Sequence, residues 1–232
     1  MAVALIVAAG RGERLGGEVP KALVTVAGRP MIHWSLDTVR SLDAVTEIVV
    51  ALPPEAVARC AESLAGAKCV PGGSVRSESV KAALEAAAHS GPVIVHDAAR
   101  PLAPPDVFVR ALDEIERSGV DAVVAAAPLA DTVKEIANDG RTVARTLERG
   151  SLWAAQTPQV FRRTALEQVL KAASQEVLAT ATDDAWLIER AGGLVRVVAS
   201  EGINLKITTP TDLRLASLLL AERVTSSTEV EN

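Results

Sequence analysis

Apolar residues in this chain come as short runs set off by glycine, proline and charged stretches. Val3–Val7 opens the pattern, and Glu47–Leu52, Lys68–Val70, Val93–His96, Ala122–Ala127 and Leu194–Ala199 repeat it. A buried parallel strand reads as a short continuous apolar run, so Val3–Val7 reads as such a strand and the other runs as further strands. Helical punctuation lies between the runs. Pro30 suits the first turn of a helix to about Leu42, with Met31, Trp34, Leu36 and Val39 for burial. Further helices are expected from Pro54 to about Leu64, over Val80–Ala88, from Pro104-Pro105 to Ser118 before Gly119, and from Arg163 to Ala173. Thr180–Asp184 caps another that ends at Gly192-Gly193, and Thr209-Pro210 opens a last one reaching about Val224. Leu23–Val26 and Asn204–Ile207 read as short extended pieces. Strand and helix in alternation predict an α/β fold, a mostly parallel sheet with helices on both faces.

The alternation stops after Ala127. Asp131–Leu147 (DTVKEIANDGRTVARTL) carries Asn138-Asp139-Gly140 between two Thr/Val-bearing stretches, a strong hairpin signal. Both sides of this hairpin are polar, so it protrudes, either as a lid or as an arm gripping a second subunit. No internal repeat or linker interrupts the chain. The expectation is one Rossmann-like domain over 1–224, including an arm at about 130–150, and a polar, flexible tail over 225–232.

The first strand breaks at Gly10 into GRGERLGGEVPK, a loop of four glycines with Arg11, Arg14 and Lys21. Such a loop lies at the carboxyl end of the sheet, where open α/β folds bind ligands. Glycine lets backbone amides approach a phosphate, and arginine carries a charge that does not titrate away. The loop is therefore read as a nucleoside triphosphate site. The spacing excludes a G-x-G-x-x-G dinucleotide fingerprint, since Leu15 stands where its third glycine belongs, and there is no G-K-[ST] of a P-loop. A second glycine loop, Gly72-Gly73 before Arg76, opens into a helix whose free amides would form another wall. Ser77 and Ser79 either cap that helix or touch a ligand. Asp97 follows the strand Val93–His96, where a ligand for Mg²⁺ would sit; the alternative is an ion pair with Arg100. His96 faces the other way and His33 lies in a helix, so both read as packing residues.

Composition narrows the chemistry. The chain has 232 residues and a net charge of −5, with no Tyr and only two Phe, which argues against a nucleic-acid partner. Cys60 and Cys69 lack metal-ligand spacing and read as small core residues. No Ser-His-Asp set, Cys-His set or carboxylate pair for glycoside chemistry stands out. There is no membrane-length apolar stretch and no leader-like start, so a soluble, cytoplasmic protein with no membrane partner is expected. Many cations, one metal-type carboxylate and glycine loops suit nucleotidyl or phosphoryl transfer.

The motifs AAGRGERLG…PKAL, GGSVRSESV, VHDAARP, DTVK, LERGSLW, QTPQVF, TDDA and LKITTP together resemble one family, from the first strand to Asp212. It is the cytidylyltransferase family of the non-mevalonate isoprenoid pathway, which joins CTP to 2-C-methyl-D-erythritol 4-phosphate. The resemblance implies triphosphate and transition-state contacts for Arg14 and Lys21. It places Ala8, Ala9, Gly10, Gly72 and Ser79 around cytosine and ribose, with Arg11 and Gly12 in the same nucleotide loop, and Asp97 on Mg²⁺. It sets Arg100, Thr132, Arg149, Thr157, Thr182 and Lys206 around the acceptor, Arg149 and Lys206 aiming its phosphate. It further implies a homodimer whose arm brings Thr132 and Arg149 into the partner's site. Ser74 and Ile203 stand where the family often has acids. A ribitol 5-phosphate cytidylyltransferase of the same superfamily is the nearest alternative activity, and a non-catalytic nucleotide-binding dimer is the alternative of another class.

Overall fold

The computed structural model describes residues 1–16 and 19–230; Gly17 and Glu18 of the first loop, and Glu231 and Asn232 of the expected tail, lie outside the described residues. The chain begins with β1 (Ala2–Val7), then two 3₁₀ turns and a small ribbon, β2 (Thr25–Val26) and β3 (Arg29–Pro30). There follow α1 (Met31–Arg40), β4 (Val45–Leu52), α2 (Pro54–Cys60), β5 (Lys68–Pro71), α3 (Arg76–Ala86), β6 (Val93–Asp97), α4 (Pro105–Ser118) and β7 (Ala122–Pro128). The hairpin β8 (Lys134–Ile136) and β9 (Val143–Thr146) comes next. The chain closes with β10 (Trp153–Phe161), α5 (Arg163–Ala172), α6 (Gln175–Thr180), α7 (Asp184–Arg190), β11 (Val195–Ala199) and α8 (Pro210–Val230).

Seven strands form one sheet in the order β11-β7-β10-β6-β1-β4-β5. Every neighbouring pair is parallel except those made by β10, which runs antiparallel to both β6 and β7. β1 lies between β4 and β6, with Leu5 opposite Val49 on one side and Val95 on the other. The side-chain period of two sorts β1 between two cores. Ala2, Ala4 and Ile6 join Ile32, Leu36, Phe108 and Ile115 on one face. Val3 and Leu5 join Val80, Leu84, Leu166 and Ile188 on the other. Helices α1, α2 and α4 therefore cover one face, and α3, α5, α6 and α7 the other. A third cluster packs α8, through Ala216 and Leu220, against Val26, Met31 and Ile207.

After β1 the chain adds β4 and β5 to one side and then crosses to place β6 on the other. The carboxyl ends of β1 and β6 thus flank the point where strand order reverses, the crevice in which open α/β sheets bind ligands.

Several elements differ from the sequence expectation. β10 was not anticipated, because Pro158 interrupts its apolar run and proline removes a ladder donor. The strand absorbs the proline through a register irregularity between Ala155 and Gln159. Helix α6 is an addition; Ser174 caps it by accepting from the Val177 amide at 3.3 Å. Helix α3 begins at Arg76 rather than Val80, and α2 ends at Cys60 rather than near Leu64. Helix α8 continues to Val230 rather than ending near Val224. Extending a helix already formed adds one hydrogen bond per residue fixed, which a polar sequence does not prevent. The hairpin is present as read: Asp139 Oδ1 accepts from the Arg141 and Thr142 amides at 2.9 and 2.8 Å, and Gly140 takes φ 72°. Every residue of β8 and β9 is exposed.

Candidate active site

A cleft of about 820 Å³ opens at the carboxyl ends of β1 and β6. The loop after β1 contributes Ala8 to Gly12, Arg14 and Lys21; the second glycine loop contributes Gly73 to Arg76 with Ser79; Asp97 and Lys206 close the far side. The first loop is folded back on itself. The Lys21 amide donates to Gly10 O at 3.1 Å and the Leu15 amide to Gly12 O at 2.7 Å. Gly12 has φ +73°, and a Cβ there would lie 3.0 Å from Lys21 Cβ. Glycine is needed at this point both for its backbone angle and for the close approach of Lys21.

Gly72 joins the two walls. Its amide donates to Leu52 O at 2.7 Å, and a Cβ there would collide with Ala9 Cβ and lie 2.8 Å from Ser79 Oγ. Ser79 Oγ accepts from the Gly73 amide at 3.1 Å and donates to Val75 O at 3.3 Å. Of the two readings of Ser79, the hydroxyl's contacts are those of a brace for the loop, at the rim of the cleft. The loop amides just before α3 are taken up locally. Glu78 Oε2 takes those of Ser74 and Val75 at 2.7 and 3.2 Å, along with Ser74 Oγ at 2.7 Å. Ser74 therefore has a local role in the loop in place of an acid, while Ile203 is exposed.

Asp97 is buried, and both its oxygens are ion-paired. Arg76 Nε and Nη2 lie 3.1 and 3.0 Å from Oδ1, and Lys206 Nζ lies 2.6 Å from Oδ2. Burial alone would raise this carboxyl, but the charges of Arg76 and Lys206 hold it far below the usual carboxylate range. Arg100 is not its partner: the buried Arg100 guanidinium donates to Asn204 O at 2.7 Å. The ion-pair alternative for Asp97 is realised with different cations. Arg76 Nη1 also reaches the fully buried Asp184 at the start of α7, so one guanidinium ties together α3, β6 and α7.

Lys21 is half-buried beside these cations. Burial first, then the nearby Lys206, lowers its ammonium to about 8. His96, facing away from the cleft, is pushed down to about 4 by burial, so it is neutral at pH 7. Thr157 Oγ1 accepts from the Asp97 amide at 3.0 Å and is hydrogen-bonded to His96 Nδ1, also at 3.0 Å. Thr157 is buried, and Asn204 Nδ2 donates to its carbonyl at 2.9 Å. The family resemblance puts Thr157 at the acceptor, and its hydroxyl is engaged within the protein.

The remaining acceptor positions do not line this cleft. Thr182 is exposed beside Asp183, whose Oδ1 caps α7 through the Trp186 amide at 2.8 Å and whose Oδ2 accepts from Gln159 Nε2 at 2.8 Å. Thr132 and Arg149 are exposed at the foot of the hairpin, with Arg149 Nη1 donating to Ala130 O. Sequence reading gave no separate role to Arg76, Asp184 or Asn204. Their partners lie 21, 108 and 104 residues away along the chain, so no local spacing announces them.

Among the described residues no group of three or more His, Cys, Asp or Glu gathers as a metal cage. No helix among them is long and apolar enough to cross a membrane.

A family model described as 2-C-methyl-D-erythritol 4-phosphate cytidylyltransferase matches residues 2–222. The chain belongs to this family. A protein of Frankia casuarinae carrying that name is 46% identical over 220 residues, covering 94% of this chain and 80% of the relative. One from Nocardia farcinica is 44% identical, covering 95% and 94%. The crystal structure of the enzyme so named from Thermus thermophilus superposes with a TM-score of 0.77 at 36% identity, over 94% of this chain and 98% of that one. A 4-diphosphocytidyl-2C-methyl-D-erythritol synthase from Anaerococcus prevotii gives a TM-score of 0.82 at 28% identity, over 95% and 96%. By family the chain is an enzyme, a nucleotidyltransferase, on an α/β fold shared with these structures.

Proposed function

We propose that this chain transfers a cytidylyl group from CTP to 2-C-methyl-D-erythritol 4-phosphate, forming 4-diphosphocytidyl-2-C-methyl-D-erythritol and releasing pyrophosphate. The observation that carries the reading is the convergence of Gly10 to Gly12, Arg14 and Lys21 with Gly73 to Arg76, Asp97 and Lys206 on one cleft. The family relationship supplies the two substrates.

In this reading Ala8, Ala9, Gly10, Gly12, Gly72 and Ser79 shape the cytidine and phosphate bed. Arg11, Arg14 and Lys21 neutralise the triphosphate. An oxygen of the acceptor phosphate attacks the α-phosphorus in line, and the bond from that phosphorus to the β-phosphate bridging oxygen breaks. A phosphate monoester is largely a dianion at neutral pH, with its second pKa near ~6, so the attack requires no general base. A neutral, buried His96 agrees with that. Lys21 stabilises the charge that moves onto the non-bridging and leaving oxygens, and Lys206 holds the acceptor phosphate against the α-phosphorus.

Asp97, which lines the cleft together with Glu55, fits Mg²⁺ that arrives with the nucleotide, since Mg²⁺ takes one or two carboxylates plus phosphates and waters. Asp97 would hold it, and it would supply charge neutralisation between the phosphates.

The acceptor half is completed by a second copy of the chain in this reading. Thr132 and Arg149 lie outside the nucleotide cleft, and the hairpin exposes Ile136 and Val143 by 47% and 50%. A homodimer in which the arm lies against the partner's acceptor site accounts for both features. The test is pyrophosphate release over a grid of the four nucleoside triphosphates against methylerythritol phosphate and ribitol 5-phosphate. Turnover confined to CTP with methylerythritol phosphate is expected. Preference for ribitol 5-phosphate would transfer the chain to the sister activity, and no release with any pair would point to a non-catalytic dimer.

A further inference from the structure

Asp97 has two oxygens, and they are held in different ways. Oδ1 is gripped by two nitrogens of Arg76, which is itself anchored on buried Asp184. Oδ2 is held by one nitrogen, Lys206 Nζ at 2.6 Å, on a side chain that is 42% exposed. The root of that lysine is fixed. The next residue, Ile207, is fully buried and its amide donates to Ala99 O at 2.8 Å, while Arg100 holds Asn204 O on the other side. Its four-carbon stem borders solvent, which leaves it room to turn. A divalent cation bound to a carboxylate oxygen sits at about 2.0–2.1 Å and does not share that oxygen's open side with an ammonium. Oδ1 is closed off by the rigid fork of Arg76, so the exchangeable partner is Lys206.

We infer that Lys206 is a charge plug: it occupies Asp97 Oδ2 and yields that oxygen to the metal carried by CTP, which frees its ammonium for the acceptor phosphate. The lysine then has two successive anionic partners, first the carboxylate and afterwards the phosphate that attacks. The inference rests on the proposed metal role of Asp97. It makes a distinctive demand, that removal of this cation should help a metal-bound anion to bind.

Calorimetric titration of the full-length protein with CTP, in Mg²⁺ and in EDTA, reads this without turnover. Lys206→Gln should bind CTP with Mg²⁺ about two- to fivefold more tightly than the parent, the range commanded by an ion pair with one exposed end. Asp97→Asn should bind CTP equally in Mg²⁺ and EDTA, and should cancel the gain when combined with Lys206→Gln. If Lys206→Gln binds CTP with Mg²⁺ no better or more weakly while Asp97→Asn abolishes the metal effect, the plug is wrong and the metal role stands. If Asp97→Asn keeps the full metal effect, the metal role falls and the plug with it. Circular dichroism of each variant confirms that the half-exposed Lys206 position has not altered the fold.

Discussion

Arg76 and Asp97 stand 21 residues apart in sequence, yet two guanidinium nitrogens of Arg76 lie 3.1 and 3.0 Å from one carboxylate oxygen. The same guanidinium holds Asp184, and both carboxylates are buried. Removing one partner of a buried ion pair strands a charge away from water, at a cost of about 3–5 kcal/mol. Arg76→Leu should therefore lower stability by about that much, a fall in Tm on the order of 10 °C for a chain of this size. Denaturant unfolding checks this, and a loss within ~0.5 kcal/mol would mean the pair is solvated.

Lys21 gives a pH signature. With its ammonium lowered to about 8, the group is charged below that pH and neutral above it. The kcat/KM for CTP, which reports the free enzyme, should fall as pH rises through about 8. Lys21→Arg keeps the charge at every accessible pH, so its remaining activity should lose this alkaline limb. A profile for Lys21→Arg with the same alkaline fall would assign the limb to another group.

The two glycine walls should respond differently to a methyl group. Gly10 has nothing within 4 Å of an added Cβ, whereas Gly72 would collide with Ala9. Gly72→Ala should cost about 1–3 kcal/mol through overpacking and displace the loop. Gly10→Ala should leave Tm unchanged and raise KM for CTP by narrowing the approach to the phosphates. Equal thermal shifts in the two variants would contradict the packing argument.

Thr157→Val removes the hydroxyl that bridges the Asp97 amide and His96 Nδ1. Leaving buried polar groups unpaired costs about 1–3 kcal/mol, so thermal unfolding should move down, and Thr157→Ser should restore it. A threonine that served only the acceptor would raise the acceptor KM and leave Tm alone.

The arm can be tested by mixing. A heterodimer of Lys21→Ala and Arg149→Ala chains holds one site with both residues intact if the arm acts on its partner, and none if each site is built from one chain. Steady-state assay of the purified heterodimer should give up to half the parental rate. Inactivity equal to that of each parent variant would place Arg149 in its own chain's site.

The apolar runs and glycine breaks of the sequence sufficed for the parallel strands of the sheet, the two-sided helix layers, the hairpin turn at Asp139-Gly140 and the break at Gly10 after β1. Each of these depends on residues near one another in the chain, where period, cap and turn chemistry act directly. Tertiary structure alone decided the rest. It put β10 antiparallel in the middle of the sheet despite Pro158, because packing between β6 and β7 outweighs one missing donor. It gave Asp97 to Arg76 and Lys206 instead of the adjacent Arg100, turned the Thr157 hydroxyl inward, and set Thr132 and Arg149 outside the nucleotide cleft. Those outcomes depend on which groups burial forces together from distant segments, and a charged or polar side chain taken from water must find its partner wherever the fold brings one.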